Sequence, residues 1–339
     1  MRSEDRSNDF DALRFVAAAM VLIAHAVVLP DYGRMPRIAG IPLAQFGVYI
    51  FFTLSGFLIA TSWRSDPRPG AFALKRALRI LPGLAVVILL TVFVLGPVAT
   101  RLSVPDYFSR PETAEYLSGM LLVPQYELPG VFTSHATSAV NGSLWTLGLE
   151  VLCYAAVAVI GLLLRDRGAP GLVGFGALCV ALVYLPAGHW AHEFGRTGAF
   201  FAAGALVATT RLRLPRTGWL LAILPAWLIV GSLVADPLPL ALLVLPLLVL
   251  GLGSRSTPVL RRSARFGDIS YGLYLWNFPV QQLVVEFLPP LPFALDVLVV
   301  ALTTSAIAFA SWHFVERPAL AFKPRSRVAV AGIKGLSAP

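Results

Sequence analysis

The chain has 339 residues, 57% of them hydrophobic and only 13% charged, with a mean hydropathy of +0.75, proportions that exclude an ordinary soluble domain. The net charge of +9 does not indicate a nucleic-acid binder, because the Lys and Arg residues form no aromatic-interleaved basic stripe on a soluble module. Cys153 and Cys179 lie inside apolar runs without metal-ligand spacing, so they read as buried small hydrophobes and no metal site is expected.

A bilayer crossing needs roughly 20 mostly apolar residues. On that criterion the chain is expected to be an all-α integral membrane protein of about ten transmembrane helices, near 10–29, 43–62, 80–99, 143–164, 170–187, 197–209, 218–235, 239–253, 269–288 and 293–315. With the N terminus placed in the cytoplasm, 21 of the 27 Lys and Arg residues fall on the inner side and five on the outer, with Arg14 inside the first span. Both termini are therefore expected to be cytoplasmic, residues 1–323 to form one transmembrane domain, and 324–339 to form a short, disordered basic tail. The first run carries Arg14 and lacks a small-residue cleavage pattern, so it is not a cleavable signal.

In chain order, the first unusual segment is RFVAAAMVLIAHAV, where Arg14 and His25 are eleven residues apart. That spacing is three turns and about 20° over, so the two share a helix face, separated by about 16 Å of rise. Arg14 would then sit near the cytoplasmic surface and His25 in the outer half. Snorkelling of the arginine and a lone interhelical histidine hydrogen bond are the bland accounts. In FALKRALRILP, Lys75, Arg76 and Arg79 gather at the entrance of the third span, with Arg76 and Arg79 neighbours at i, i+3. Positive-inside anchoring explains part of this, and a phosphate site held by guanidinium forks is the functional account.

The long connection 100–142 is expected outside, with AEYLSGMLLVP as an interfacial or re-entrant helix because it is too short to cross. Next, NGSLWTLGLEVLCY puts Glu150 two turns below the outer end of the fourth span, at a depth similar to that of His25. A carboxylate there is expected to face a cavity or a partner. It would either orient His25 as a base or form a structural ion pair with an arginine. Asn141, Gly142 and Ser143 also spell a glycosylation sequon, a weak match. The ninth span, DISYGLYLWNFPVQQ, carries Tyr271, Tyr274, Trp276 and a deep Asn277, while Pro279 frees a carbonyl inside the helix; such a kinked polar helix lines a cavity. In WHFVERP, Glu316 would pair with the inner arginines or be solvated.

Six stretches in this order, FDALRFVAAAMVLIAH, GVYIFFTLSGFLI, KRALRILP, NGSLWTLGLE, ISYGLYLWNFP and FVERP, resemble acyltransferase family 3 of integral membrane O-acyltransferases over nearly the whole chain. The resemblance implies an acyl-CoA donor, acetyl-CoA in the first instance, taken from the cytoplasm. It also implies transfer to a hydroxyl of a cell-envelope glycan or small hydroxylated acceptor at the plasma (inner) membrane, beside membrane lipid and glycan-assembly enzymes. His25 and Glu150 would be catalytic, with direct transfer or an acyl-histidine. Arg14, Lys75, Arg76 and Arg79 would bind the donor, and Ser143, Trp145, Tyr274, Trp276 and Asn277 the substrate. Two positions depart from the family pattern: Tyr49, where many relatives have an acid, and Asn277, where most have histidine. Asn277 is thus expected to hydrogen-bond instead of acting as an acid or base. Many relatives also carry an extra extracytoplasmic domain, and any relay to one is expected to need a separate protein. From another class, a proton-coupled flippase of a lipid-linked sugar would use the same buried charges, but paired interrupted segments in corresponding halves are not seen.

Overall fold

A computed structural model describes residues 9–165, 168–186, 188–210, 212, 214, 217–255 and 268–324. The expected basic tail lies outside them except for its first residue. Ten helices of 16 residues or more are present among the described residues: α1 (Phe10–Val28), α2 (Leu43–Ser65), α3 (Pro69–Leu90), α7 (Trp145–Leu164), α8 (Gly168–Tyr184), α9 (His189–Thr210), α10 (Thr217–Leu233), α11 (Leu238–Gly253), α12 (Ser270–Phe287) and α13 (Phe293–Ser311). Each falls on one of the ten expected runs. Five segments are long and apolar enough to cross a membrane: Phe10–Val28, Leu43–Ser65, Pro69–Ala99, Trp145–Leu164 and Phe293–Leu320. Large apolar side chains point outward, Leu163, Leu233, Leu243 and Phe314 being more than 70% exposed. An apolar exterior on an all-helical bundle is what a hydrocarbon solvent selects.

Two boundaries differ from expectation. The third helix begins at Pro69, not near 80, so Lys75, Arg76 and Arg79 lie within it and not at its entrance. Proline suits a first helical position, since its missing N–H has no partner there anyway. Ahead of it, Asp66 accepts hydrogen bonds from Arg68 (2.6 and 2.9 Å) and Lys75 (2.8 Å), which hold its carboxyl well below the usual carboxylate range. Likewise α9 starts at His189, eight residues before the apolar run.

Two prolines leave the same mark. A π turn at Thr91–Leu95 precedes Pro97 in α4 (Gly96–Ala99), and another at Trp312–Glu316 precedes Pro318 in α14 (Arg317–Leu320). Each proline deletes an i→i−4 bond, and the ladder widens just before it. The connection after Ala99 folds as two short helices, α5 (Val104–Ser109) and α6 (Pro111–Glu115), followed by a 3-10 turn at Tyr116–Leu121; the stretch AEYLSGMLLVP, expected as an interfacial or re-entrant helix, is thus the end of α6 and the 3-10 turn. A two-residue turn at Ala39 and Gly40, both with positive φ, joins β1 (Arg37–Ile38) to β2 (Ile41–Pro42), the backbone twist that antiparallel pairing favours.

At the centre, α2 packs on α1, α7, α9 and α11, while α12 packs on α1, α3 and α13. Small residues set these distances, as lipid offers no hydrophobic drive between helices. A Cβ on Gly56 of α2 would stand 1.9 Å from the Phe201 carbonyl oxygen of α9, and one on Gly204 of α9 would stand 2.1 Å from that of Thr53. The backbones are therefore in direct contact. Cys153 and Cys179 are free and fully buried, as expected. Gly56→Val or Gly204→Val should destabilise the purified protein by about 1–3 kcal/mol or more through overpacking, lowering its melting temperature in detergent. Gly70→Ala, where a Cβ meets nothing within 4 Å, should leave that temperature unchanged.

Candidate active site

At one end of the bundle, α1, α3, the residues before α12 and the end of α13 meet through charges. Arg79 donates to Asp268 (Nη2 to Oδ2, 2.6 Å) and lies 3.6 Å from Glu316. Arg14 donates to Asp11 at 2.8 Å and reaches Asp268 at 3.5 Å. Both carboxylates are further fixed by serines, Ser270 donating to Asp268 (2.5 Å) and Ser311 to Glu316 (3.0 Å). The Arg79 guanidinium also lies over the Tyr271 and Trp312 rings, 5.4 and 6.0 Å from their centroids. Two cations and two long-range carboxylates thus neutralise one another.

Arg76 is different. One turn before Arg79 on the same face, it makes no hydrogen bond among the described residues, and its buried Nε has no partner. It lines a cavity of about 110 Å³ together with Arg14, Arg79, Ser55, Glu150, Tyr154, Tyr271 and Tyr274. Across this space, Glu150 Oε1 accepts two hydrogen bonds, from Ser55 Oγ at 2.7 Å and Tyr154 Oη at 2.5 Å. A guanidinium with an unanswered donor beside two further cations favours an anionic guest.

Further along α1 and α12, the chemistry changes. His25 Nδ1 lies 2.5 Å from Asn277 Oδ1, with the Phe278 ring edge-on at 4.9 Å. The amide is not free to turn, because Asn277 Nδ2 donates to the carbonyls of Leu273 (3.0 Å) and Tyr274 (2.7 Å). Its oxygen must face the imidazole, so Nδ1 carries the proton and Nε2 keeps its lone pair. Pro279 lacks the N–H that would cap the Leu275 carbonyl, and Asn141 Nδ2 takes that place at 2.9 Å. Tyr274 Oη bridges Thr146 Oγ1 (2.7 Å) and the Ser143 carbonyl (2.9 Å). Ser143 Oγ and Trp276 Nε1 are buried without partners.

The structure corrects one expected pairing. His25 is bonded to an amide on α12, and Glu150 belongs instead to the arginine-lined cavity with Ser55 and Tyr154. Equal depth on two helices does not bring side chains together when their faces differ. Lys75 turns away to Asp66 and does not line the cavity, being one residue and therefore about 100° off the Arg76 face. Glu316 pairs with Arg79, and Asn277 takes the hydrogen-bonding part. Asn141 is completely buried inside the bundle, which removes the sequon from use. Tyr49 is buried and stacked on Phe200 at 4.2 Å. Trp145 packs half-buried against the core. Ser55, Tyr154 and Asp268 went unassigned in the sequence; the signal for Tyr154 was its i+4 spacing from Glu150, and for Asp268 its place among inner-side cations.

The family model described as "Acyltransferase domain" matches residues 7–313. A protein of Shigella phage Sf6 named "O-acetyl transferase" is 31% identical over 332 residues, covering 92% of this chain and 96% of its own length. "Nodulation protein 10" of Rhizobium leguminosarum bv. viciae is 28% identical over 363 residues, with 94% of each chain covered. No solved structure matches. Nitrogen-15 magnetic resonance of histidine-labelled protein above the titration range should show His25 as the Nδ1–H tautomer, and Asn277→Ala should abolish that preference. A wild-type Nε2–H signal for His25 would contradict the network.

Proposed function

The chain belongs to acyltransferase family 3 and is an acyltransferase with the apolar helices of a membrane protein, and from that premise we propose that it moves an acetyl group from cytoplasmic acetyl-CoA to a hydroxyl of a cell-envelope carbohydrate. The observation that carries this proposal is the division of the site: an arginine, Arg76, whose buried Nε has no partner at one end and an imidazole with its Nε2 lone pair free at the other. The relative named "O-acetyl transferase" supports an acetyl group and an oxygen acceptor.

In this mechanism His25 Nε2 takes the proton of the acceptor hydroxyl as that oxygen attacks the thioester carbonyl; the carbon–sulfur bond breaks and CoA leaves as the thiolate. The Nδ1–H bond to Asn277 holds the ring and stabilises the imidazolium that forms. Arg76, with Arg79 and Arg14 behind it, attracts the anionic donor towards the cavity, while Glu150 keeps Arg76 oriented across it. Ser143 Oγ and Trp276 Nε1, two of the unpartnered buried polar groups among the described residues, supply hydrogen bonds to the substrates. Tyr274 and Asn277 serve through the network they hold. The Arg79 knot is assigned to the cytoplasmic end, with ten crossings, both termini inside and the plasma membrane as location. The lopsided Lys and Arg count supports that orientation. Glycan-assembly enzymes of the same membrane would deliver the acceptor.

The test is acetyl-CoA binding and thioester turnover by protein in nanodiscs. His25→Ala should lose about 10²–10⁴-fold in turnover while keeping donor affinity. Arg76→Ala should raise the donor KM about ten- to a hundredfold, the worth of one hydrogen-bonded charge. Wild-type turnover in His25→Ala, or folded wild type with no CoA interaction, would overturn the assignment.

A further inference from the structure

Beyond the arginine cavity, α2 and α7 frame a second and larger space. One to two turns past Ser55 and Glu150 along these helices begins a groove of about 630 Å³ that runs on to Arg64 and Arg165 and is flanked by α8 and α9. One side of its wall is apolar and includes Ile160, Leu172 and the indole of Trp63. Gly161 lets that indole lie on the α7 backbone, for a Cβ there would stand 2.0 Å from Trp63 Nε1, and Phe72 meets it edge-on at 5.1 Å. Two exposed arginines line the groove, Arg64 and Arg165. Arg64 Nη1 donates to the Ala208 carbonyl at 2.5 Å, which fixes it at the rim, and Arg165 terminates α7 with a φ of 44°. Neither has a carboxylate partner among the described residues. Asp66, two residues after Arg64, is already shared by Arg68 and Lys75.

Size separates the two spaces. The inner cavity, at about 110 Å³, has room for an acyl thioester tip and nothing near a nucleotide, since one water alone occupies about 30 Å³ of liquid. The groove falls within the range of about 300–1,000 Å³ usual for ligand sites. Along α7, Gly161 is eleven residues from Glu150, about 16 Å of rise, and along α2 Arg64 is nine residues from Ser55, about 13 Å. An extended arm of pantetheine length covers that distance.

We propose that this groove is a second donor subsite that holds the phosphorylated nucleotide end of the acyl-CoA. Arg64 and Arg165 take its phosphates, the base lies against the apolar wall, and the arm runs along α2 and α7 to place the thioester beside Arg76. This proposal rests on the acetyl-CoA assignment above and adds the residues that recognise the nucleotide. The same two guanidiniums suit any phosphate, the headgroup of an anionic phospholipid included, and the experiment separates these sources.

Arg64→Ala/Arg165→Ala protein is compared with wild type in nanodiscs of phosphatidylcholine alone and with added phosphatidylglycerol. The donors are acetyl-CoA and S-acetylpantetheine, and binding of adenosine 3′,5′-bisphosphate is measured directly. The double variant should raise the KM for acetyl-CoA at least tenfold with kcat retained, leave the KM for S-acetylpantetheine unchanged, and lose bisphosphate binding equally in both lipids. Ala169→Phe, which fills the groove without removing charge, should weaken the bisphosphate in the same way. Unchanged bisphosphate affinity in both variants, or a loss confined to phosphatidylglycerol discs, would overturn the proposal, the latter in favour of a lipid headgroup. If wild type binds the bisphosphate through Arg64 and Arg165 yet transfers no acetyl group, the acetyl-transfer assignment fails while the nucleotide subsite stands.

Discussion

A polar group left unpaired inside an apolar bundle loses several kcal/mol, and the arrangement of α12 follows from avoiding that loss. Pro279 removes one N–H from the helix, which orphans the Leu275 carbonyl; Asn141 answers it from the segment leading into α7. That bond ties α7's entry to α12. Six and five residues before Pro279, the helix turns its own carbonyls to use as well, since those of Leu273 and Tyr274 accept the Asn277 amide and so decide which way it faces. The state of the His25 ring is thus traceable, through two asparagines, to satisfying backbone carbonyls of one helix.

The same economy explains why four cationic candidates divide into different parts. Removing a charge from water is expensive, and a buried pair is worth little net while a half-broken one is strongly destabilising. Arg79 is enclosed by Asp268, Glu316 and two aromatic rings, and Arg14 shares Asp268, so these arginines hold α1, α3, α12 and α13 together. Lys75 closes the turn between α2 and α3. Arg76 alone of the four retains an unanswered donor facing the cavity. A side chain in that state is held in place by its helix and keeps a donor for an anionic guest. The neighbouring knot makes this affordable, because its own charges already cancel.

The bundle was largely legible in the sequence, since apolar length reports spans directly. Its boundaries failed where charge interrupts a helix that continues regardless: Lys75, Arg76 and Arg79 hid the first turns of α3, and His192, Glu193 and Arg196 hid those of α9. Helical periodicity along α1 placed Arg14 and His25 on a common face, which one helix can tell. The wrong partner for His25 arose because contacts between helices depend on rotation about each axis, and neither length nor depth encodes that. Pro279, in contrast, announced an orphaned carbonyl, and only the identity of its partner needed the fold. The arrangement of Ser55, Tyr154 and Glu150 required α2 and α7 to be adjacent, a fact stored in Gly161 of α7 and its contact with Trp63 of α2 and not in any local motif.

The placement of Tyr274 bears on how such a site separates its two ends. It lines the arginine cavity, yet it stands one turn before Asn277, the partner of His25, and its hydroxyl is fastened to Thr146 and Ser143 on the α7 side while Phe51 of α2 meets its ring at 5.6 Å. Three elements therefore converge on one phenol between the cationic chamber and the imidazole. A bundle that accepts a charged donor at one end and a polar acceptor at the other must not become a continuous water path, and a ring pinned at both its hydroxyl and its face meets that requirement. For an acyl group to reach His25, this ring or its Phe51 neighbour must yield, and the bonds to Thr146 and Ser143 are what resist. On the proposed mechanism, the tightness of the barrier and the passage of the acyl group are therefore set by the same two hydrogen bonds.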